Sequence, residues 1–168
     1  MVAPAPDIVA RVEVTVVVAA PATVCFDLAR SVDAHVRSTT ATGERAIGGK
    51  TSGLLSLGDE VTWSAKHFGI RQELTSRITV FDRPNHFRDS MVRGAFARFD
   101  HDHYFTTGSD GTVVRDVFDY DAPLGPLGRV AEALFLSRYM RRFLLVRLEE
   151  LRALAESDEW RTLVPSAD

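Results

Sequence analysis

The hydrophobic period of this chain changes once, and that change constrains its architecture. From Asp59 to Tyr120, apolar residues recur at every second position in runs broken by turn sequences, the pattern of half-buried strands. From Leu127 to Glu156 they recur at helical spacing, with no proline or glycine after Gly128. Strands joined by tight turns pair antiparallel. Such a sheet has one apolar face, and the C-terminal helix is the only large element able to cover it. A twisted sheet curled around one helix leaves space that the helix cannot fill. The pattern therefore predicts an internal cavity.

Local sequence places the elements. VEVTVVV, Val12 to Val18, is a β-branched first strand. Pro21 suits a helix start, and VCFDLAR followed by SVDAHVRS reads as two short helices inserted after that strand. A short strand is expected near Thr40–Ile47. A glycine-rich loop over 48–58 then follows and is expected to gate the cavity. Gly48-Gly49-Lys50-Thr51 lacks the upstream strand and spaced first glycine of a phosphate loop. Strands follow at Asp59–Lys66, Ile70–Val80, His86–Val92, Phe99–Phe105 and Thr112–Tyr120, with turns at HFG, DRPN and GSDG. The fold class is α+β: a seven-stranded antiparallel sheet wrapped around a long C-terminal helix, with two short helices after the first strand. One domain over residues 10–156 is expected, with 1–9 and 157–168 as flexible termini.

A chain of 168 residues can bury a real core without metal or disulfide staples. The formal net charge of -3 argues against a general nucleic-acid binder. No apolar run approaches the roughly 18 residues needed to span a bilayer, so no stable membrane insertion is expected. MVAPAPD has no basic region followed by an apolar core, so no signal peptide is visible. The single cysteine, Cys25, permits no disulfide within the chain and fits a reducing cytoplasm. It reads as a small buried apolar residue. RYMRRFLLVR, 138–147, carries four arginines. These read as a solvated face balanced by nearby glutamates, or as a dock for anionic headgroups.

The layout resembles the START/Bet v1-like (SRPBCC) superfamily, with its helix-grip fold. It is most similar to the bacterial polyketide cyclase/dehydrase and lipid-transfer-like subgroup. The likeness covers about residues 10–155. It is carried by APATVCFDL (20–28), LGDEVTWSAKHFGIRQELTSRI (57–78), MVRGAF (91–96), FDHDHYF (99–105) and YDAPLGPLGRVAEALFL (120–136). It implies a cavity for a hydrophobic or amphipathic small molecule, such as a lipid or polyketide-like compound, bound and in some cases transported. It implies no cofactor and no metal, and leaves the oligomeric state open.

Within FDHDHYF, the strand period puts Phe99, His101, His103 and Phe105 on one face, and Asp100, Asp102 and Tyr104 on the other. The aspartate face reads as the wet one, so the histidines point inward. Turn positions then place Asp89 opposite His101, His103 opposite Asp116, and Ile78 beside Asp89. The expected inward group is Asp89, His101, His103 and Asp116. Val80, Ile78, Phe87, Met91, Phe99, Phe118 and Tyr120 flank it with apolar surface. Trp63, Gln72 and Leu74 complete the candidate ligand-binding set. His67 reads as a turn residue or, with Trp63, as part of the rim. His35 and His86 read as surface residues.

Inward aspartates in a dry core are costly unless paired. One reading of the cluster is a structural Asp–His network that pins sheet register. The other is a polar floor that orients a ligand's oxygen. His-x-His with nearby carboxylates is also a zinc or iron pattern. Three functions follow: a small-molecule binding protein; a cyclase-, dehydratase- or hydrolase-type enzyme using the cluster as general acid and base; or a partner-regulating module with an incidental cavity.

Overall fold

The computed structural model describes residues 10–122, 130–131 and 135–164. The strands are β1 (Ala10–Val18), β2 (Arg45–Gly49), β3 (Glu60–His67), β4 (Ile70–Asp82), β5 (His86–Arg93), β6 (Arg98–Gly108) and β7 (Gly111–Asp121). They form one antiparallel sheet in the order β1-β7-β6-β5-β4-β3-β2. Helices α1 (Ala22–Ala29) and α2 (Val32–Ser38) follow β1, and α3 (Ser137–Glu156) runs along β1 and against both of them. This is the helix-grip α+β architecture expected from the change of period. The linker from Pro123 and residues 127–129 and 132–134 of the expected helix lie outside the described residues.

Each element has a local cause. Along β1, Val12, Val14, Val16 and Val18 are buried and the residues between them are not, which is the period-two pattern of a sheet wet on one face. Ser31 caps α2 by accepting from the Ala34 N–H at 3.2 Å. In α3, Met140, Leu144, Leu148, Leu151 and Ala155 form the buried stripe. Phe26 of α1 packs edge-on against Phe81, Phe87 and Phe105, each with ring centroids 5.3 Å away. Asp27, only 5% exposed, holds α1 to the β4–β5 turn by pairing with Arg83 at 3.0 and 2.6 Å.

Four expectations about the fold need correction. Thr40–Thr42 is a turn of 3-10 helix, and β2 starts only at Arg45. β4 is bulged between Ile78 and Val80, so Val80 pairs with Arg88 and Phe81 with Phe87. One extra residue reverses the alternation, which turns Val80 outward and Phe81 onto Phe26. Residues 48–58, expected to gate the cavity, do not line it. Val32 N–H bonds Gly53 O, Leu55 N–H bonds Arg30 O, and Leu55 is buried, which fixes this loop against α1 and α2. The tail carries a short helix, α4 (Trp160–Leu163), because Val164 buries its side chain in the core and Ser31 bonds the Leu163 carbonyl.

The outer face of the sheet is not simply wet. Asp102 is buried there, beneath two parallel bonds from Arg88 at 2.8 Å each and one from His86 at 2.6 Å. Burial opposes its ionisation, but Arg88 and His86 prevail and hold its pKa below the usual carboxylate range. His86 is therefore a half-buried partner in an ion-pair lattice rather than a free surface residue.

Candidate functional site

A cavity of about 600 Å³ lies between the concave face of the sheet and α3. Its wall is mostly apolar: Ala65, Leu74, Phe99 and Phe118 from the sheet, and Leu136, Met140, Phe143 and Leu144 from the helix side. Phe68, Ala95, Ala131 and Phe135 also line it and are exposed, so they mark its mouth. His67, at the end of β3, shares a 2.5 Å hydrogen bond with the Tyr139 hydroxyl. This bond joins the β3–β4 turn to α3 beside the mouth. Phe68, in the left-handed region at φ 51, lays its ring on Tyr139 at 4.5 Å.

The inward registers are those that the turns predict. Asp89 pairs with His101 and Ile78 with Asp89; His103 pairs with Asp116. His101, His103 and Asp116 are 4, 4 and 1% exposed. His103 faces a carboxylate from each nitrogen: Nδ1 is 2.9 Å from Asp116 Oδ1, and Nε2 is 3.1 Å from Asp89 Oδ1. Carboxylates only accept, so both nitrogens carry protons. Burial works against that charge, but Asp116 and Asp89 outweigh it and push the His103 pKa up to about 9. Asp116 and Asp89 are held below the usual range, because His103 and His101 overcome the burial that opposes ionisation. Burial and the charge on His103 lower the pKa of His101. Its Nε2 lies 3.3 Å from Asp116 Oδ2 but out of line for a hydrogen bond.

A second polar group completes this end of the cavity. Arg147 Nη2 donates to His35 Nδ1 at 2.9 Å. A guanidinium has donors only, so His35 Nδ1 is unprotonated and its proton sits on Nε2. That nitrogen faces Glu44 Oε2 at 3.2 Å. Burial and Arg147 lower the His35 pKa, while burial of Glu44 is overcome by His35 and Arg147, which keep it ionised. The His35 ring stacks on Trp63 at 4.0 Å. His35 is thus a cavity residue and not a surface one, and Arg147 turns inward while Arg138, Arg141 and Arg142 remain exposed. Both sit on helices, where contact with a distant strand depends on docking angle. The one local signal is that Arg147 falls between Leu144 and Leu148 on the buried stripe.

Of the expected residues, Trp63, Gln72, Leu74, Asp89, Phe99, His101 and Phe118 line the cavity. Ile78, Phe87 and Tyr120 do not; they are 2% exposed or less and belong to the packed core. Met91 packs on that core without lining the cavity. His103 and Asp116 lie one layer deeper and border a space of about 20 Å³ beneath α1 and α3. Among the described residues, Asp89, His101 and His103 are the group whose ligand-type atoms converge within 4.8 Å.

The family model for polyketide cyclase/dehydrase and lipid transport matches residues 9–156. No curated protein matches the chain. Among solved structures, the protein TTHA0849 of Thermus thermophilus is similar at 18% identity and TM-score 0.72, over 89% of this chain and 100% of that one. Ginseng major latex-like protein 151 from Panax ginseng is similar at 16% identity and TM-score 0.63, over 89% and 99%. A START superfamily protein from Mycobacterium smegmatis is similar at 15% identity and TM-score 0.66, over 87% and 97%. These likenesses speak to the fold. No helix among the described residues is long and apolar enough to cross a membrane. With a family match spanning most of the chain and a helix-grip fold beneath it, the protein belongs to the polyketide cyclase/dehydrase and lipid-transport family.

Proposed function

We propose that the protein binds one hydrophobic or amphipathic small molecule, of lipid or polyketide-like character, in the cavity between sheet and α3. The observation that carries this reading is the cavity itself. Its volume of about 600 Å³ is within the roughly 300–1,000 Å³ of small-molecule sites, and its wall is mostly apolar, with a few polar side chains that include Asp89, His101 and Arg147. An apolar body would lie against Leu74, Phe99, Met140 and Phe143, with an oxygen directed to Asp89, His101 or Arg147. A cavity of this size weighs against the reading in which it is incidental. A cytoplasmic location belongs to the same proposal and rests on the single thiol of Cys25.

Trp63 provides the test, because it lines the cavity and the other tryptophan, Trp160, does not. In a Trp160→Phe background, titration with long-chain fatty acids and aromatic polyphenols is expected to give a saturable one-to-one change in Trp63 emission. No saturable response from either class would sink the proposal.

The enzyme reading has one specific support: Asp89 and His101 face the cavity, where they can exchange protons with a bound substrate. Asp89→Asn and His101→Ala should then abolish conversion of a ligand. In a carrier they should change affinity alone.

A further inference from the structure

We propose that Asp89 Oδ1, His101 Nδ1 and His103 Nε2 form a binding site for one divalent transition ion, zinc or iron(II), open toward the cavity. The proposal stands apart from any organic ligand. Ligand atoms held about 2.0–2.2 Å from a tetrahedral ion are roughly 3.3 Å from one another. Asp89 Oδ1 is 3.1 Å from His103 Nε2 and 3.8 Å from His101 Nδ1, and all three atoms lie within 4.8 Å of one another. The 3.8 Å separation is too long for a hydrogen bond but suits two ligands of one ion.

The surroundings of these atoms are those of a metal site. His103 Nδ1 hydrogen-bonds Asp116 Oδ1 at 2.9 Å, while His101 Nε2 lies 3.3 Å from Asp116 Oδ2 without an aligned hydrogen bond. A carboxylate behind the distal imidazole nitrogen fixes the tautomer and ring orientation of a metal-bound histidine. Here buried Asp116 does this for His103 and lies beside the His101 ring. Two rings in contact, with centroids 3.9 Å apart, are thereby aimed at a common point. Without an ion, the three carboxylates of Glu44, Asp89 and Asp116 face two cations, Arg147 and the His103 imidazolium, so the cluster keeps an excess of negative charge. A bound ion takes the place of the proton that His103 Nε2 donates to Asp89, and that proton is released to solvent. Two nitrogens and one carboxylate leave coordination positions free. Asp89 and His101 line the cavity, so those positions face whatever enters it.

The test is a titration of chelator-treated full-length protein with Co²⁺, followed by visible absorption. One Co²⁺ per chain, with the strong d–d bands of a four- or five-coordinate site, is expected. Asp89→Asn and His101→Gln should weaken binding by more than about 100-fold, and Asp116→Asn by about 10–100-fold. Asp102→Asn, on the outer face, should leave it unchanged. A second measurement needs no variant: Zn²⁺ should shift the ¹⁵N resonances of His103 Nε2 and His101 Nδ1 and leave those of His86 in place. No saturable Co²⁺ band, equal affinity in Asp89→Asn and wild type, or unshifted His101 and His103 nitrogens would each overturn the proposal.

Discussion

Replacing Asp116 by asparagine should cost the metal-free protein about 3 kcal/mol near neutral pH, and the loss should shrink as pH rises. Asp116 is 1% exposed and lies against both histidines. The His103 pKa rises from an unfolded value of about 6.5 to about 9. A raised histidine pKa means that the folded state binds the proton more tightly. Its contribution is fully present below about pH 6.5 and is lost as pH climbs through about 9. At about 1.36 kcal/mol per unit, that contribution is about 3 kcal/mol and is shared between Asp116 and Asp89. The cost of removing Asp116 rests on the roughly 3–5 kcal/mol lost when a buried ion pair is broken from one side, and the two figures overlap and do not add. The assay is urea unfolding with chelator present, in steps from about pH 6 to about pH 9.5. Wild type should lose stability over this range more steeply than Asp116→Asn, so that the gap between them narrows. Parallel curves, or a gap that widens with pH, would refute the charged Asp–His–Asp arrangement.

Three further outcomes follow from the packing. Gly111→Ala should lower stability by more than about 1 kcal/mol, since Gly111 has φ +125 and an added Cβ would lie 2.1 Å from the Val18 carbonyl oxygen; thermal melting reads this directly. Arg83→Ala should cost about 1–3 kcal/mol, because it strips a two-bond partner from buried Asp27. Asp27 has a lowered pKa in the fold, with Arg83 and Arg30 prevailing over burial, so the wild-type advantage should fade as pH drops below the carboxylate range. Ala65→Phe should fill the cavity with little change in melting temperature, because the ring enters open space rather than a packed core, and should abolish the Trp63 response to ligands.

Much of the site could be read before the fold was known, and for a physical reason. In β5, β6 and β7 the hairpin turns set the register, and register sets which side chains meet. Asp89 against His101 and His103 against Asp116 follow from counting outward from two turns. The β4 bulge escaped that count because nothing in RITVFD marks where the extra residue sits, and Val80 was assigned to the wrong face as a result. Cavity and core were also hard to separate. Ile78, Phe87 and Tyr120 share the inward face with Phe99 and Phe118, and alternation reports the face but not the depth. The Arg147–His35–Glu44 group was invisible for a different reason. Its members come from α3, α2 and the segment before β2, and only the docking of helices on the sheet brings them together. Isolated arginine and histidine on short amphipathic segments otherwise read as solvated.

The claim that the cavity holds a single small molecule is tested most directly by native mass spectrometry. Wild-type protein and Ala65→Phe would each be incubated with the same long-chain fatty acids and aromatic polyphenols. The account predicts a one-to-one adduct on wild type that is lost from Ala65→Phe. No adduct on wild type, or the same adduct on both proteins, would contradict it.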